Sequence, residues 1–301
     1  MDDSVREWSL PVRPPYRLDL TATVLRRLST NVVDVFDGRV YRRMLGAAKS
    51  PVLLEVIQTS PSALAVRVTG SSSVDILSLT RRMLGTDVEL THFAAVAARI
   101  PWLERIARAA RGVKPPRYPS LWEAIVNAVV FQQVSIHAAA AILRRVIERY
   151  EPLREIGAVR LAPFPEPRII ADADPLDLRA VGLSVNKVVA LRTLARAVLD
   201  DALDERLLEA LPTAELTARL ATFKGIGPWT AAVIALRGFG RLDVFPLNDS
   251  GVARSLKDLA DDPALDPGAL LAELGPQRGM LYYHLLIGRL AARGDITLSV
   301  P

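Results

Sequence analysis

No cysteine occurs anywhere in the 301 residues. That absence excludes disulfides, thiolate zinc sites, a cysteine nucleophile and iron–sulfur clusters. Histidine is nearly as scarce. His92, His137 and His284 stand far apart, and their spacing matches no metal-binding pattern of the HExxH kind. Long unbroken apolar runs are also missing: LWEAIVNAVVFQQVSIHAAAAIL (121–143) is interrupted by a carboxylate and several amides, too often for a membrane span. The opening MDDSVREWSL has neither the basic start nor the apolar centre of a signal peptide. These absences lead to the expectation of a soluble intracellular protein.

What is present is a chain long enough for two or three domains, half of whose residues are hydrophobic. The net charge of +5 is compatible with an anionic partner but is weak evidence by itself. The first 95 residues have mixed character. Two β-rich runs in VLLEVIQTSPSALAVRVTG (52–70) flank Pro61-Ser62 and read as a hairpin, and VVDVFDGRVYRRML (32–45) offers another strand pair around Asp37-Gly38. SSSVDILSLTRRMLG (71–85) begins with serines and ends with glycine, as a capped helix does. From residue 96 onward helices dominate, punctuated by VKPPRYPS (113–120), where Ser120 can cap the next helix, and by a second loop, LAPFPEPRII (161–170).

One stretch carries chemistry. TAELTARLATF (213–223) reads as a helix, KGIG (224–227) as a tight turn, and PWTAAVIALRGF (228–239) as a second helix with Pro228 in its first turn. Gly225 and Gly227 permit backbone angles and close approach closed to other residues. The turn amides and the positive end of the second helix then suit a phosphate. A plain helix–helix corner with no ligand is an equal reading of the glycines alone. Asp249 follows DVFPLN and opens SGVARSLKDLA. An Asp there is most often an N-cap, but a carboxylate near a gripped phosphate backbone is unfavourable unless it faces a cation-like group. VFQQVS (130–135) interrupts a helix with two amides, as a polar junction or an inserted loop would.

GIGPWTAAVIALRGFGRLDVFPLND resembles the helix–hairpin–helix Gly-Pro-Asp superfamily of DNA glycosylases, and most of all its DNA-3-methyladenine glycosylase II branch. The resemblance extends to KPPRYPSLWEAIVNAVVFQQVS (114–135), to DPLDLRAVGLSVNKVVALRTLARAV, and faintly to RPPY near the start. It implies an α+β protein: a small N-terminal antiparallel sheet domain (1–95), then a two-lobed all-helical core (96–301) with its helix–hairpin–helix at about 213–238. It implies a catalytic role for Asp249, stabilising an oxocarbenium-like sugar. It implies DNA contacts from Gln132, Gln133, Lys224, Gly225, Ile226, Gly227 and Thr230, with Gln133 filling the gap left by an everted base. The implied base pocket comprises Trp229, Val24, Val233 and Leu286, with Tyr282 and Tyr283 as contributors or as ordinary core residues. Family members carry aromatics at several of these positions, so the lesion range departs from theirs. His284 reads as structural. Trp229 stands where bifunctional relatives keep a lysine, which implies a monofunctional enzyme.

No organic cofactor is implied. Relatives hold a monovalent cation, Na+ or K+, at hairpin carbonyls whose counterparts are Ala221, Phe223 and Ile226. The implied partner is damaged double-stranded DNA, bound by a cytoplasmic, nucleoid-associated monomer with no membrane contact. Rival readings are a glycosylase for oxidised or deaminated bases and a catalytically silent DNA-binding protein. Cationic alkylated purines, whose glycosidic bonds are already weak, are the expected preference over hypoxanthine.

Overall fold

The computed structural model describes the chain except residues 1–3, 47–49, 248–249, 261, 263–264 and 299–301. An antiparallel sheet in the order β1-β5-β4-β3-β2 is built from β1 (Val5–Pro11), β2 (Val35–Phe36), β3 (Val40–Leu45), β4 (Val52–Ser60) and β5 (Ala63–Thr69). Alternation sets its two faces: Leu64, Val66 and Val68 are buried, while Ala65 and Arg67 between them are exposed. Both expected strand pairs form. Pro61-Ser62 joins β4 to β5, and at the other turn the Asp37 carboxylate accepts from the amides of Arg39 (2.9 Å) and Val40 (2.8 Å).

The helices follow as α1 (Leu18–Arg26), α2 (Ile76–Leu84), α3 (Thr91–Ala97), α4 (Pro101–Ala109), α5 (Leu121–Val130) and α6 (Ile136–Tyr150). After a short hairpin of β6 (Arg154–Ile156) and β7 (Val159–Leu161) come α7 (Pro167–Asp172), α8 (Pro175–Ala180), α9 (Val185–Leu199), α10 (Glu205–Glu209), α11 (Thr213–Ala221) and α12 (Pro228–Arg237). The last three are α13 (Ser250–Ala260), α14 (Pro267–Leu274) and α15 (Gly279–Ala292). Ser120 caps α5 as expected, accepting from the Glu123 amide at 3.2 Å. The cap of α2 differs: Asp75, not one of the serines, accepts from the Ser78 amide. The stretch 161–170 is not wholly loop, because Pro167 opens α7.

α5 is buried on every side and forms the axis of the helical part, packing on α6, α9 and α12. Gly238, just past α12, permits that contact, because a Cβ there would lie 2.9 Å from the Ala124 Cβ. The sheet is bound to this axis through charge. Arg43 of β3 is fully buried and donates to Asp34 at 2.6 Å and to Glu123 of α5, while the Tyr41 hydroxyl donates to Asp34 at 2.6 Å. A buried cation can persist with such partners. The α1 start is tied to the sheet by Gln58, whose Oε1 accepts from the Leu18 amide at 2.9 Å.

Candidate nucleic-acid interface

The turn between α11 and α12 closes through the Ile226 amide donating to the Phe223 carbonyl at 3.0 Å. Gly225 has φ +98°, and a Cβ there would meet the Ala190 Cβ of α9 at 2.6 Å, so both conformation and space demand glycine. Gly227 corrects the sequence expectation. Its φ of −85° and ψ of 177° suit any residue, and a Cβ would meet nothing within 4 Å. The open space in front of the first turn of α12 is what Gly227 supplies. Among the described residues no side chain caps that turn, and Pro228 occupies its first position as expected.

Gln132 joins the hairpin to the loop at 131–135. Its Nε2 donates to the Gly225 carbonyl at 2.9 Å and to Thr230 Oγ1 at 2.7 Å. Thr230 and Ile226 are buried, so their side chains hold the unit together from within, while Lys224 and Gly227 are exposed on it. Lys187 of α9 fixes the loop from behind: its Nζ donates to the Val130 and Gln132 carbonyls, each at 2.8 Å. Burial lowers the pKa of this ammonium. Gln133 is exposed and holds a left-handed conformation, φ +55°, and Ser135 then caps α6. The two-amide interruption thus projects Gln133 from a braced loop. Sequence reasoning missed Lys187, since its partners lie 57 and 55 residues away and no local pattern marks them.

The pocket candidates gather at a seam. Val24, Tyr282 and Leu286 belong to one hydrophobic cluster, Val233 and half-buried Trp229 to the other, and Phe131 and Val244 pack against both. Arg237 of α12 spans the seam, donating from Nη2 to the Val24 carbonyl at 3.0 Å. Tyr283 is fully enclosed and sits edge-on to Tyr282, with ring centroids 5.7 Å apart. Burial raises its pKa, which keeps its hydroxyl protonated as a core residue. His284 is structural, as expected: it stacks on Phe93 at 4.5 Å, its Nδ1 lies 2.9 Å from the Met280 carbonyl, and burial pushes it down to about 4.

At the same seam α1 ends in an unusual way. Arg27 has φ 62° and ψ −61°, and the Leu28 amide donates to the Arg26 carbonyl at 2.8 Å, a γ-turn of the strained, positive-φ kind. The Arg27 guanidinium lies 3.8 Å from the centre of the Phe131 ring. Asp249 and Asn248 lie outside the described residues; α13 begins at Ser250, directly after them.

The fold and parts of the sequence are shared with known proteins. Residues 126–270 match the model of the HhH-GPD superfamily base excision DNA repair protein. The chain is 30% identical over 263 residues to a probable bifunctional transcriptional activator/DNA repair enzyme AlkA of Mycobacterium tuberculosis, covering 83% of this chain and 50% of that protein. It is 36% identical over 148 residues to DNA-3-methyladenine glycosylase 2 of Escherichia coli, covering 49% of this chain and 51% of the relative. The chain therefore spans about half the length of these curated relatives. A 3-methyladenine DNA-glycosylase structure from Archaeoglobus fulgidus superposes with a TM-score of 0.76 at 22% identity, covering 94% of this chain and 98% of that one, a likeness of fold.

Proposed function

We propose that this chain, whose residues 126–270 match the HhH-GPD superfamily base excision DNA repair protein, is a monofunctional DNA glycosylase acting on alkylated purines of the 3-methyladenine class in duplex DNA. The observation that carries this reading is the bond pair from Gln132 to Gly225 and Thr230. It makes one body of a hairpin suited to a phosphate and a loop suited to enter the duplex. The hairpin grips backbone without reading sequence. Gln133 projects toward the base stack and offsets part of the few kcal/mol that base eversion costs. The everted base enters the seam beside Trp229. As the C1′–N9 bond stretches, stabilising the cation-like sugar is the role assigned to Asp249, and water completes the hydrolysis to leave an abasic site. The partner is double-stranded DNA, met by a monomer in the cytoplasm at the nucleoid. Among the described residues no helix is long and apolar enough to cross a membrane.

The reaction needs no organic cofactor. The carbonyls of Ala221, Phe223 and Ile226 are neutral oxygen donors that suit Na+ or K+. The Phe223 carbonyl accepts from the Ile226 amide and keeps a second lone pair. A cation held there would add positive charge to the phosphate-facing turn.

Release of free base from a panel of lesion-bearing duplexes tests the function, and no release from any of them would overturn it. Two further outcomes follow. Gly227→Val should weaken binding to every duplex alike, by about 10- to 100-fold if a bond to a charged phosphate is lost. Its melting temperature should hold, because a Cβ there meets nothing beyond its chain neighbours within 4 Å and the backbone conformation suits any residue. Wild-type affinity should fall as salt rises through counterion release, and a sequence-selective loss in the variant would argue against the phosphate role. With Trp229 in the lysine position, borohydride should trap no covalent protein–DNA complex, and abasic strands should stay intact until alkali cuts them. A trapped complex would overturn the monofunctional reading.

A further inference from the structure

Helix α9 stands behind both elements that face DNA in the reading above. Its Ala190 packs so closely on Gly225 of the hairpin that a Cβ on the glycine would lie 2.6 Å from the alanine Cβ. Lys187, one turn earlier on the same face, reaches the loop at 131–135 and donates from Nζ to the Val130 and Gln132 carbonyls, each at 2.8 Å. The base of this side chain is itself fixed, because Ser184 caps α9 by accepting from the Lys187 amide at 3.3 Å. Val130 ends α5, so its carbonyl belongs to the last turn, where C=O groups lack helical partners and the helix carries negative partial charge. An ammonium suits that end. The second bond sets a direction. The Gln132 carbonyl and the Gln133 amide share one rigid peptide plane. Holding the oxygen fixes the plane from which Gln133 departs at φ +55°, a conformation unfavourable for a residue other than glycine. The Gln132 side chain ties the same residue to the hairpin.

We propose that Lys187 is a positioning residue for base eversion: its ammonium presets the backbone from which Gln133 enters the duplex, so that the loop meets DNA already in its inserted form. The proposal rests on the glycosylase reading above. A loop without this clamp would be ordered at the moment of insertion, and the lost conformational entropy would add to the unstacking that eversion already costs. With Lys187 in place the ordering is complete in the free protein, which is preorganisation in the ordinary sense. Lys187 acts through the Gln132 and Val130 carbonyls, not on the base, the sugar or a phosphate. Its contribution therefore belongs to the step in which the base leaves the stack, and neither to bond cleavage nor to the grip on the DNA backbone.

The chain has no cysteine, so Lys187→Cys introduces a single thiol. Alkylation with 2-bromoethylamine turns that thiol into a lysine analogue with sulfur in place of one methylene, which restores the ammonium. A methylthio cap on the same thiol restores bulk without charge. The test is single-turnover release of 7-methylguanine by wild type, Lys187→Met and the two capped forms of Lys187→Cys, with a thermal melt to verify each fold. The lesion sits either in a fully paired duplex or in a short bubble of mismatched bases. A 2-aminopurine beside it brightens when its neighbour leaves the stack. Lys187→Met should slow release from the paired duplex by about 10- to 100-fold, the scale of one charge-assisted hydrogen bond, and should delay the fluorescence rise to match. Release from the bubble should slow by less than about threefold, because a mismatched base costs least to evert. Affinity for undamaged duplex and its salt dependence should equal those of wild type. The aminoethyl form should recover most of the rate and the methylthio form should not. Equal slowing on both substrates, no slowing on either, or a fluorescence rise at the wild-type rate would overturn the proposal. So would recovery with the methylthio cap, which would reduce Lys187 to packing, or a shallower salt dependence in Lys187→Met, which would place it on a phosphate. A wild-type protein that releases no lesion from any duplex overturns the glycosylase reading itself, whereas an active wild type with an unselective Lys187→Met overturns only this inference.

Discussion

Asp249→Asn should lower base release about a thousandfold while duplex binding survives or tightens. The magnitude follows from charge. A carboxylate roughly 4 Å from a developing unit positive charge is worth about 4 kcal/mol at an effective dielectric near 20. At about 1.36 kcal/mol per decade that is close to three decades in rate. Asparagine keeps the shape and the capping ability of the residue before α13, so an N-cap role alone would leave excision intact. The binding side of the prediction follows from removing a negative charge from the neighbourhood of DNA phosphates. Single-turnover excision and a gel-shift titration read the two effects separately. A variant that excises at the wild-type rate would remove Asp249 from the mechanism.

The second large effect is on stability. Arg43→Met should destabilise the protein by about 3–5 kcal/mol, because Asp34 and Glu123 are left buried without their cation. At about 2–4 °C per kcal/mol the melting temperature should fall by roughly 10 °C, and a fall of only a degree or two would show the pair to be dispensable. The same cluster sets a pH dependence. Burial pushes the Glu123 carboxyl from its ordinary 4.5 up to about 7; Arg43 opposes the shift and Asp34 adds to it. A raised folded value means that the contribution of Glu123 is full below about 4.5 and is lost as pH rises through about 7. His284 runs the other way: its folded value of about 4 lies below the ordinary 6.5, so its contribution is present above 6.5 and lost as pH falls. Between these limits the two oppose each other. Glu123→Gln should therefore expose the histidine, giving a melting temperature that falls steadily on acidification below about pH 6.5.

Features written in neighbouring residues were legible in the sequence. The hairpin turn rests on Gly225 and on Pro228 at a first helical turn, and the strand pairs on alternation flanking Asp37-Gly38 and Pro61-Ser62. What escaped notice was written across distance or in too few letters. Lys187 and Arg27 take their meaning from Val130, Gln132 and Phe131 on other elements. The strands β6 and β7 are three residues each, too short for alternation to register. The prolines of 161–170 suggested a loop, although Pro167 serves as a helix opener. Gly227 does not use the backbone freedom that glycine offers; its value is the room left in front of α12.

The pair of bonds from Gln132 also has a bearing on inheritance. Gln132 and Thr230 lie 98 positions apart, yet the buried Thr230 hydroxyl takes its bond from the Gln132 amide. Losing Gln132 strands the buried Thr230 hydroxyl, which costs about 1–3 kcal/mol, whereas losing Thr230 leaves Gln132 bonded to the Gly225 carbonyl. Lineages descending from this chain should therefore keep Gln132 wherever Thr230 is kept. A collection of close orthologues would show Thr230 only beside Gln132, with Gln133 next to it drifting independently.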